Sequence, residues 1–379
     1  MKIKRHPYGM RQFCLRNFYA HRPDCLGSGD TDGAIDDKLT IHRLGRQISQ
    51  KGPLIQYLVG MAIEGMAVAM PIYTNPEHPL TKEQIQRLLD SLDALPPRGT
   101  LADSYEWERY MALSVLQSIE QSRSLDELHY LTDFSGREPQ HSTIEYVLFR
   151  AFLASLDWNA AYRRVNELYD ALQELPPQEF EAIVEIEIDA GWFRLAQVFT
   201  AKGRGSGFAN ILAALLLPAV TAADAAVQRL ECSENMKRLT LATLLYQLEH
   251  GELPGENWVE QIKPYLGDNP EQYFSCPSNA APDGKTTYAL VLYGNDVPAD
   301  TNTFLLVELK TSVPLNEAVV TVDDVLERQR TGSQHIGGMN VAHRSGAVLF
   351  LRMSAQAELL RLLGRESETE PDYNEEDNG

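Results

Sequence analysis

The sequence predicts an α+β protein, with an all-helical segment over 1–204, a segment over 205–364 in which one long helix precedes a small antiparallel sheet, and an acidic tail over 365–379. Three observations carry this. The first 200 residues repeat apolar positions at helical spacing, and little of them alternates as a strand should. AKGRGSG at 201–207 is the one stretch rich enough in Gly and Ser to act as a hinge. Beyond His250 the pattern changes to short alternating runs. A chain of 379 residues exceeds one typical core, and 44% hydrophobic with 23% charged residues is a globular composition.

In order along the chain, GDTDGAIDDKLTIHRLGRQISQ sets Ile35, Leu39, Ile41, His42, Leu44 and Ile48 at helical spacing, with Asp30 and Asp32 suited to the helix start. Pro53 opens LIQYLVGMAIEGMAVAM, which is apolar nearly all round and is expected at the centre of its domain. Thr81 and Gln84 form a capping-box signature for TKEQIQRLLDSLDAL, which Pro96-Pro97 ends. Further helices are expected at about 101–122, 142–175 and 178–200. No fixed period joins these helices, so an irregular stack of helical hairpins is expected rather than a regular solenoid. A long helix should run from Phe208 to about His250, bent or interrupted at Pro218. TTYALVLYG, TFLLVEL and EAVVTV then read as strands. In HIGGMNVAHRSGAVLFL, Met339–His343 and Ala347–Leu351 form a hairpin around Arg344-Ser345-Gly346, with positive φ expected at Gly346. RESETEPDYNEEDNG, from Arg365, is nearly without apolar groups and is expected to be disordered.

The hairpin run also resembles the terminal motif of prepilin-like proteins, a pseudopilin-like family whose chains end in a His, nine residues and Asp-Gly. Its counterparts here are His335, Gly337, Gly338, Asn340, Ser345 and Gly346. LLLPAVTAADAAVQRLEC, SENMKRLTLATLLYQLEHGELP and YFSCPS follow the family pattern in the same order, so the resemblance covers about residues 208–351. It implies a pilin-like domain, a long helix packed on the sheet, in an envelope-associated structural protein of the type II secretion kind. It also places Cys232 and Cys276 at family cysteine positions. A disulfide between them would close a loop of about 45 residues and stabilise by roughly 3–4 kcal/mol; two free buried thiols are the other reading. Cys14 and Cys25 are a weaker candidate pair. Two departures stand out: Ser345 occupies the Asp position, and the apolar run from Phe208 to Val220 is shorter than the ~20 residues of a membrane anchor and lacks the family's Glu.

Composition and motifs narrow the function. A net charge of −19 argues against sequence-independent nucleic-acid binding, and the basic cluster Lys2, Lys4, Arg5, Arg11 and Arg16 reads as a solvated helix. The Trp and Tyr residues, including Trp107, Trp158, Trp192 and Trp258, show no basic interleaving of the kind that marks a base-stacking surface. MKIKRHPYGMRQF has a leader's charge without an apolar segment after it, which implies the cytoplasm, whereas the resemblance implies the envelope. There is no GxSxG, HExxH, Walker loop or strand-borne GxGxxG, and no CxxC to suggest zinc or redox chemistry. His335 and His343 could share a metal with Asp323 or Asp324, but a turn role for a His before Gly-Gly is the simpler expectation. Glu64 is read as a buried carboxylate paired with Arg43 or Arg46. The expectation is a non-enzymatic structural or interaction protein, with no cofactor, no metal, no nucleic acid and no transmembrane segment, acting through protein partners or self-assembly. The alternatives are a cytoplasmic scaffold without the membrane anchor and, third, an enzyme with an unrecognised site.

Overall fold

The computed structural model describes residues 30–72, 79–123, 143–174, 200–293, 303–327, 331–332, 335 and 337–352. The helix expected at 178–200, the Cys14–Cys25 pair, Trp192, the N-terminal basic cluster and the acidic tail lie outside them. The protein is α+β and divides into two compact units. A sheet-bearing unit comprises Met1–Arg46, Gly60–Pro97 and Ala225–Gly379, and a helical unit comprises Gln47–Val59 and Arg98–Asp224.

The helices are α1 (Thr31–Ile48), α2 (Leu54–Ala69), α3 (Lys82–Asp93), α4 (Leu101–Ser122), α5 (Thr143–Ala154), α6 (Trp158–Glu174), α7 (Ala201–His250) and α8 (Trp258–Ile262). In the helical unit, Leu116, Ile119, Leu153, Val165, Leu168, Phe208 and Ala209 form one apolar core. Thr100 and Asp103 make a reciprocal capping box at the start of α4. The run expected as one helix over 142–175 is two. The Ser155 hydroxyl donates to the Phe152 carbonyl at 2.6 Å, and the Asp157 carboxylate accepts from the Ala160 N–H at 3.0 Å, so one helix ends and the next is capped within three residues.

The hinge expected at 201–207 is instead the first two turns of α7. Of its glycines, Gly205 serves close approach. A Cβ at Gly205 would lie 2.2 Å from the Asp157 carbonyl oxygen, and the Asp157 N–H donates to the Ala201 carbonyl at 3.0 Å. The helix continues through Pro218 to His250 without interruption.

In the sheet-bearing unit, α3 carries the expected capping box, with the Thr81 side chain accepting from the Gln84 N–H. Ile35 and Leu39 of α1, Ile85 and Leu88 of α3, and Leu241 and Leu245 of α7 share a core. The sheet comprises β1 (Lys285–Leu292), β2 (Phe304–Pro314), β3 (Val319–Thr321), β4 (Gly338–His343) and β5 (Val348–Arg352), in the order β3-β1-β2-β4-β5. It is mixed rather than antiparallel, because β3 returns beside β1 in parallel. The buried Trp258 indole N–H donates to the Ala318 carbonyl at 2.6 Å, fixing α8 at this edge. The Thr321 hydroxyl then accepts from the Asp324 N–H, so the chain turns at once into α9 (Val322–Glu327).

Both faces of the sheet are covered. Ala289, Val291, Val307, Leu309, Met339 and Val341 point into one apolar core. The opposite face meets α7 and carries a polar row: Tyr288 of β1 stands opposite Glu308 of β2, and Asn340 of β4 is next.

Candidate functional site

That polar row forms one wall of a buried cluster. Cys232 comes from the face of α7 that also buries Met236, Leu239 and Thr240. Cys276 follows the 3-10 turn Pro270–Phe274, where its N–H donates to the Thr287 hydroxyl at 2.7 Å. His335 sits just before the Gly337-Gly338 turn. Cys232, Cys276 and Glu308 are fully buried, and His335 is 7% exposed.

The contacts are specific. Glu308 Oε1 lies 2.5 Å from Cys232 Sγ and 3.1 Å from His335 Nε2, and accepts from the Asn340 side-chain amide at 3.2 Å. Glu308 Oε2 accepts the Asn340 backbone N–H at 2.7 Å. Cys276 Sγ is 3.6 Å from His335 Nε2, and the Tyr288 hydroxyl donates to Cys232 Sγ at 3.3 Å. On the far side of the imidazole, Nδ1 lies 3.0 Å from the Ser278 hydroxyl oxygen, whose own proton goes to Gln228 Oε1 at 2.9 Å. Ser278 therefore accepts, Nδ1 carries the proton, and Nε2 is left facing the two sulfurs and the carboxylate.

Electrostatics separate the two thiols. Burial raises Cys232 well above the ordinary thiol range, and the neighbouring sulfur and carboxylate add to this. Cys276 is brought down to about 5, chiefly by the hydrogen bond from Cys232 and then by His335, against its own burial. Burial would lower His335, but its hydrogen bonds to Cys276 and Glu308 and their negative charge take it up to about 9. The surroundings thus favour the thiolate at Cys276 and the charged imidazole at His335, and the protonated thiol at Cys232.

No family model, curated protein or solved structure matches the chain.

The residues expected from the sequence divide into distinct roles. The structure brings Cys232 and Cys276 together as free buried cysteines, the second of the two readings that the sequence left open. The Cys232 sulfur is engaged by Glu308 and the Tyr288 hydroxyl, and the Cys276 sulfur by His335. Among the motif residues, His335 and Asn340 belong to the cluster rather than to a turn alone. Gly337 has φ 86°. A Cβ at Gly338 would lie 2.2 Å from the Leu351 carbonyl oxygen. Gly346 has the expected positive φ, 74°, and a Cβ there would lie 2.5 Å from Ile72 Cδ1. The Ser345 carbonyl accepts the Ile72 N–H at 2.8 Å, and Lys237 Nζ donates to the Gly346 carbonyl.

His343 stacks edge-to-face on Phe304, with ring centroids 5.1 Å apart, and the Asp324 carboxylate accepts from the Thr321 N–H at the start of α9; neither joins His335. Sequence reasoning missed Glu308. In TFLLVEL it stands where a solvent-facing position would be read, and only the covered second face of β2 makes it internal.

A second polar layer lies in the same unit. Glu64 pairs with Arg46 at 3.5 Å, as one of the two expected pairings had it, and Arg46 also reaches Glu234 at 3.7 Å. Lys38 donates to the Met70 carbonyl at 2.6 Å, and burial lowers it to about 7. Burial also lowers His42, to about 3, against the attraction of Glu234. Among the described residues neither His42 ring nitrogen has a hydrogen-bond partner.

Proposed function

We propose that the protein is a non-enzymatic structural or interaction protein, in which the sheet-bearing unit is a pilin-like platform and the helical unit presents a contact surface for protein. The observation that carries this is the outer face of two helices of the helical unit. On α4, Trp107, Tyr110 and Met111 are exposed at i, i+3 and i+4, and on α5, Ile144, Val147 and Leu148 repeat the spacing. Single exposed apolar residues are ordinary, but six large ones in two helical stripes are the pattern of a partner-covered surface. The pilin-like reading has support of its own. The part of α7 from Arg229 to Lys237 lies along β4 and β5, with Arg229 over the Phe350 ring and the Ser233 hydroxyl donating to Asn340. The chemically active side chains, meanwhile, lie beneath this helix, where a substrate would have to displace it. Among the described residues no helix is long and apolar enough to cross a membrane.

The test is cross-linking with mass mapping in native cells, together with sedimentation of the purified chain. Trp107→Lys with Leu148→Lys should abolish cross-links to the helical unit while leaving the fold intact, since exposed substitutions change stability by about 0.5 kcal/mol or less. Unchanged cross-links would remove the contact role from these helices. Recovery of the protein in the envelope fraction supports the structural role, and recovery in the soluble fraction supports the scaffold.

A further inference from the structure

We propose that Cys232, Cys276, Glu308 and His335 bind one zinc-class d10 divalent ion as a closed structural site. The four donor atoms all lie within 4.8 Å of one another and come from α7, the turn after Phe274, β2 and the segment before β4. Tetrahedral zinc, with bonds of about 2.3 Å to sulfur and 2.0–2.2 Å to nitrogen and oxygen, requires S–N edges of about 3.6 Å and N–O edges of about 3.3 Å. The Cys276–His335 edge is 3.6 Å and the His335–Glu308 edge 3.1 Å. Of these three edges the His335–Glu308 edge is about 0.2 Å short of a tetrahedron's, and the Cys232–Glu308 edge, at 2.5 Å, would open by about 1 Å once the thiol proton is gone.

The surroundings are those that a metal site requires. The Ser278–Gln228 relay holds the proton on His335 Nδ1 and so presents Nε2 as the donor. The Asn340 backbone N–H holds the second oxygen of Glu308, which leaves Oε1 as the ligand atom. The Tyr288 hydroxyl already points at Cys232 Sγ, ready to stabilise a thiolate there. Two thiolates with an imidazole select zinc over magnesium or calcium, and four protein donors leave no open position for substrate or water. Binding is a proton exchange. The ion replaces the Cys232 thiol proton and the proton shared by Cys276 and His335, and two protons leave for each ion bound. The site ties α7 to the strands and does not depend on the surface by which the protein meets its partners.

The experiment uses the full chain. Elemental analysis of the purified protein should give about one zinc per chain, and cobalt exchanged into the site should show the visible bands of tetrahedral coordination and sulfur-to-cobalt charge transfer. Cys276→Ser and His335→Gln should lose the metal, and Ser278→Ala should weaken zinc binding about 10- to 100-fold in competition with a chromophoric chelator. Tyr288→Phe, which removes no ligand, should keep the full stoichiometry. If the ligand variants fail to fold, the wild-type protein decides: after chelation under conditions that retain its circular dichroism, it should take up one equivalent of zinc or cobalt. No uptake by that natively folded protein, or a Cys232–Cys276 disulfide in freshly isolated material, overturns the proposal.

Discussion

Gly346 is the position at which backbone conformation and packing can be separated by measurement. Its φ of 74° lies in the left-handed region, where an L side chain costs about 1–2 kcal/mol. An added Cβ would also meet Ile72 Cδ1 at 2.5 Å and Cγ1 at 3.1 Å, and relieving such overpacking costs typically about 1–3 kcal/mol. Gly346→Ala should therefore lower stability by roughly 2–5 kcal/mol, and Gly346→Val by more, because a β-branched residue is a genuine outlier there. Gly255 supplies the control. A Cβ at that position meets nothing within 4 Å, so Gly255→Ala should be close to neutral.

The assay is equilibrium urea unfolding, read by near- and far-UV circular dichroism, of wild type, Gly346→Ala, Ile72→Val and the double variant. Ile72→Val deletes the Cδ1 atom that the new methyl would meet. The cycle should return a favourable coupling of about 0.5–3 kcal/mol while the backbone cost remains. A Gly346→Ala protein within about 0.5 kcal/mol of wild type, or a cycle with zero coupling, refutes the docking of this turn against Ile72.

Four further outcomes follow from the buried polar groups and the sheet edge. His42 has its folded pKa lowered from 6.5 to about 3, so the unfolded state binds the extra proton between those values. Stability should fall as pH drops from 6.5 toward 3, by on the order of 4 kcal/mol, and His42→Leu should flatten that limb in pH-dependent melts. Lys38, lowered from 10.5 to about 7, acts over the alkaline window. The unfolded state binds more protons there, so stability should rise with pH from about 7 to 10.5, and Lys38→Met should remove part of the rise. Arg46→Ala leaves the fully buried Glu64 without its ion pair and should cost about 3–5 kcal/mol by urea titration, whereas Arg46→Met with Glu64→Gln should cost much less. Trp258→Phe keeps an aromatic ring but removes the indole donor to the Ala318 carbonyl, which retains the Leu290 N–H at 3.0 Å, and should cost about 0.5–1.5 kcal/mol.

What could be read from the sequence follows how local each determinant is. The capping box at Thr81 and Gln84, the helix over 101–122, the β1 run and the reversal at Gly346 are set within a few residues, and they stand where periodicity and turn chemistry put them. The glycines at 203, 205 and 207 read as a hinge because composition cannot distinguish flexibility from close packing; Gly205 sits in a helix for lack of space beside Asp157. The break at Ser155–Asp157 hides inside an amphipathic run, since Ser and Asp suit a solvent face as well as a cap. β3 reads as antiparallel by default, and its parallel pairing depends on a crossover that no short window contains. The cluster was the least legible part. Its four donors are separated by 44, 32 and 27 residues, so no ligand-spacing pattern exists to find.

The spacing of the His335 to Gly346 run follows from what it has to reach. β4 spans six residues, roughly 20 Å of strand, and runs alongside α7 in the same direction. At one end Asn340 meets Ser233 and Arg229, and at the other the Gly346 carbonyl meets Lys237, so the run touches the helix twice. Between these points the parity of the strand matters more than its composition. Asn340 faces Glu308 and the helix, while Met339 and Val341 face the apolar core on the other side. Moving the strand by one residue would offer Val341 to the Glu308 carboxylate and drive Asn340 into the core, losing both amide contacts to that carboxylate at once. The same one-residue change would shift Gly346, the residue that can take φ 74° against Ile72, out of the turn. A fixed count between the histidine and the glycine is thus imposed by a buried carboxylate at one end and a crowded turn at the other, whatever the side chains between them do.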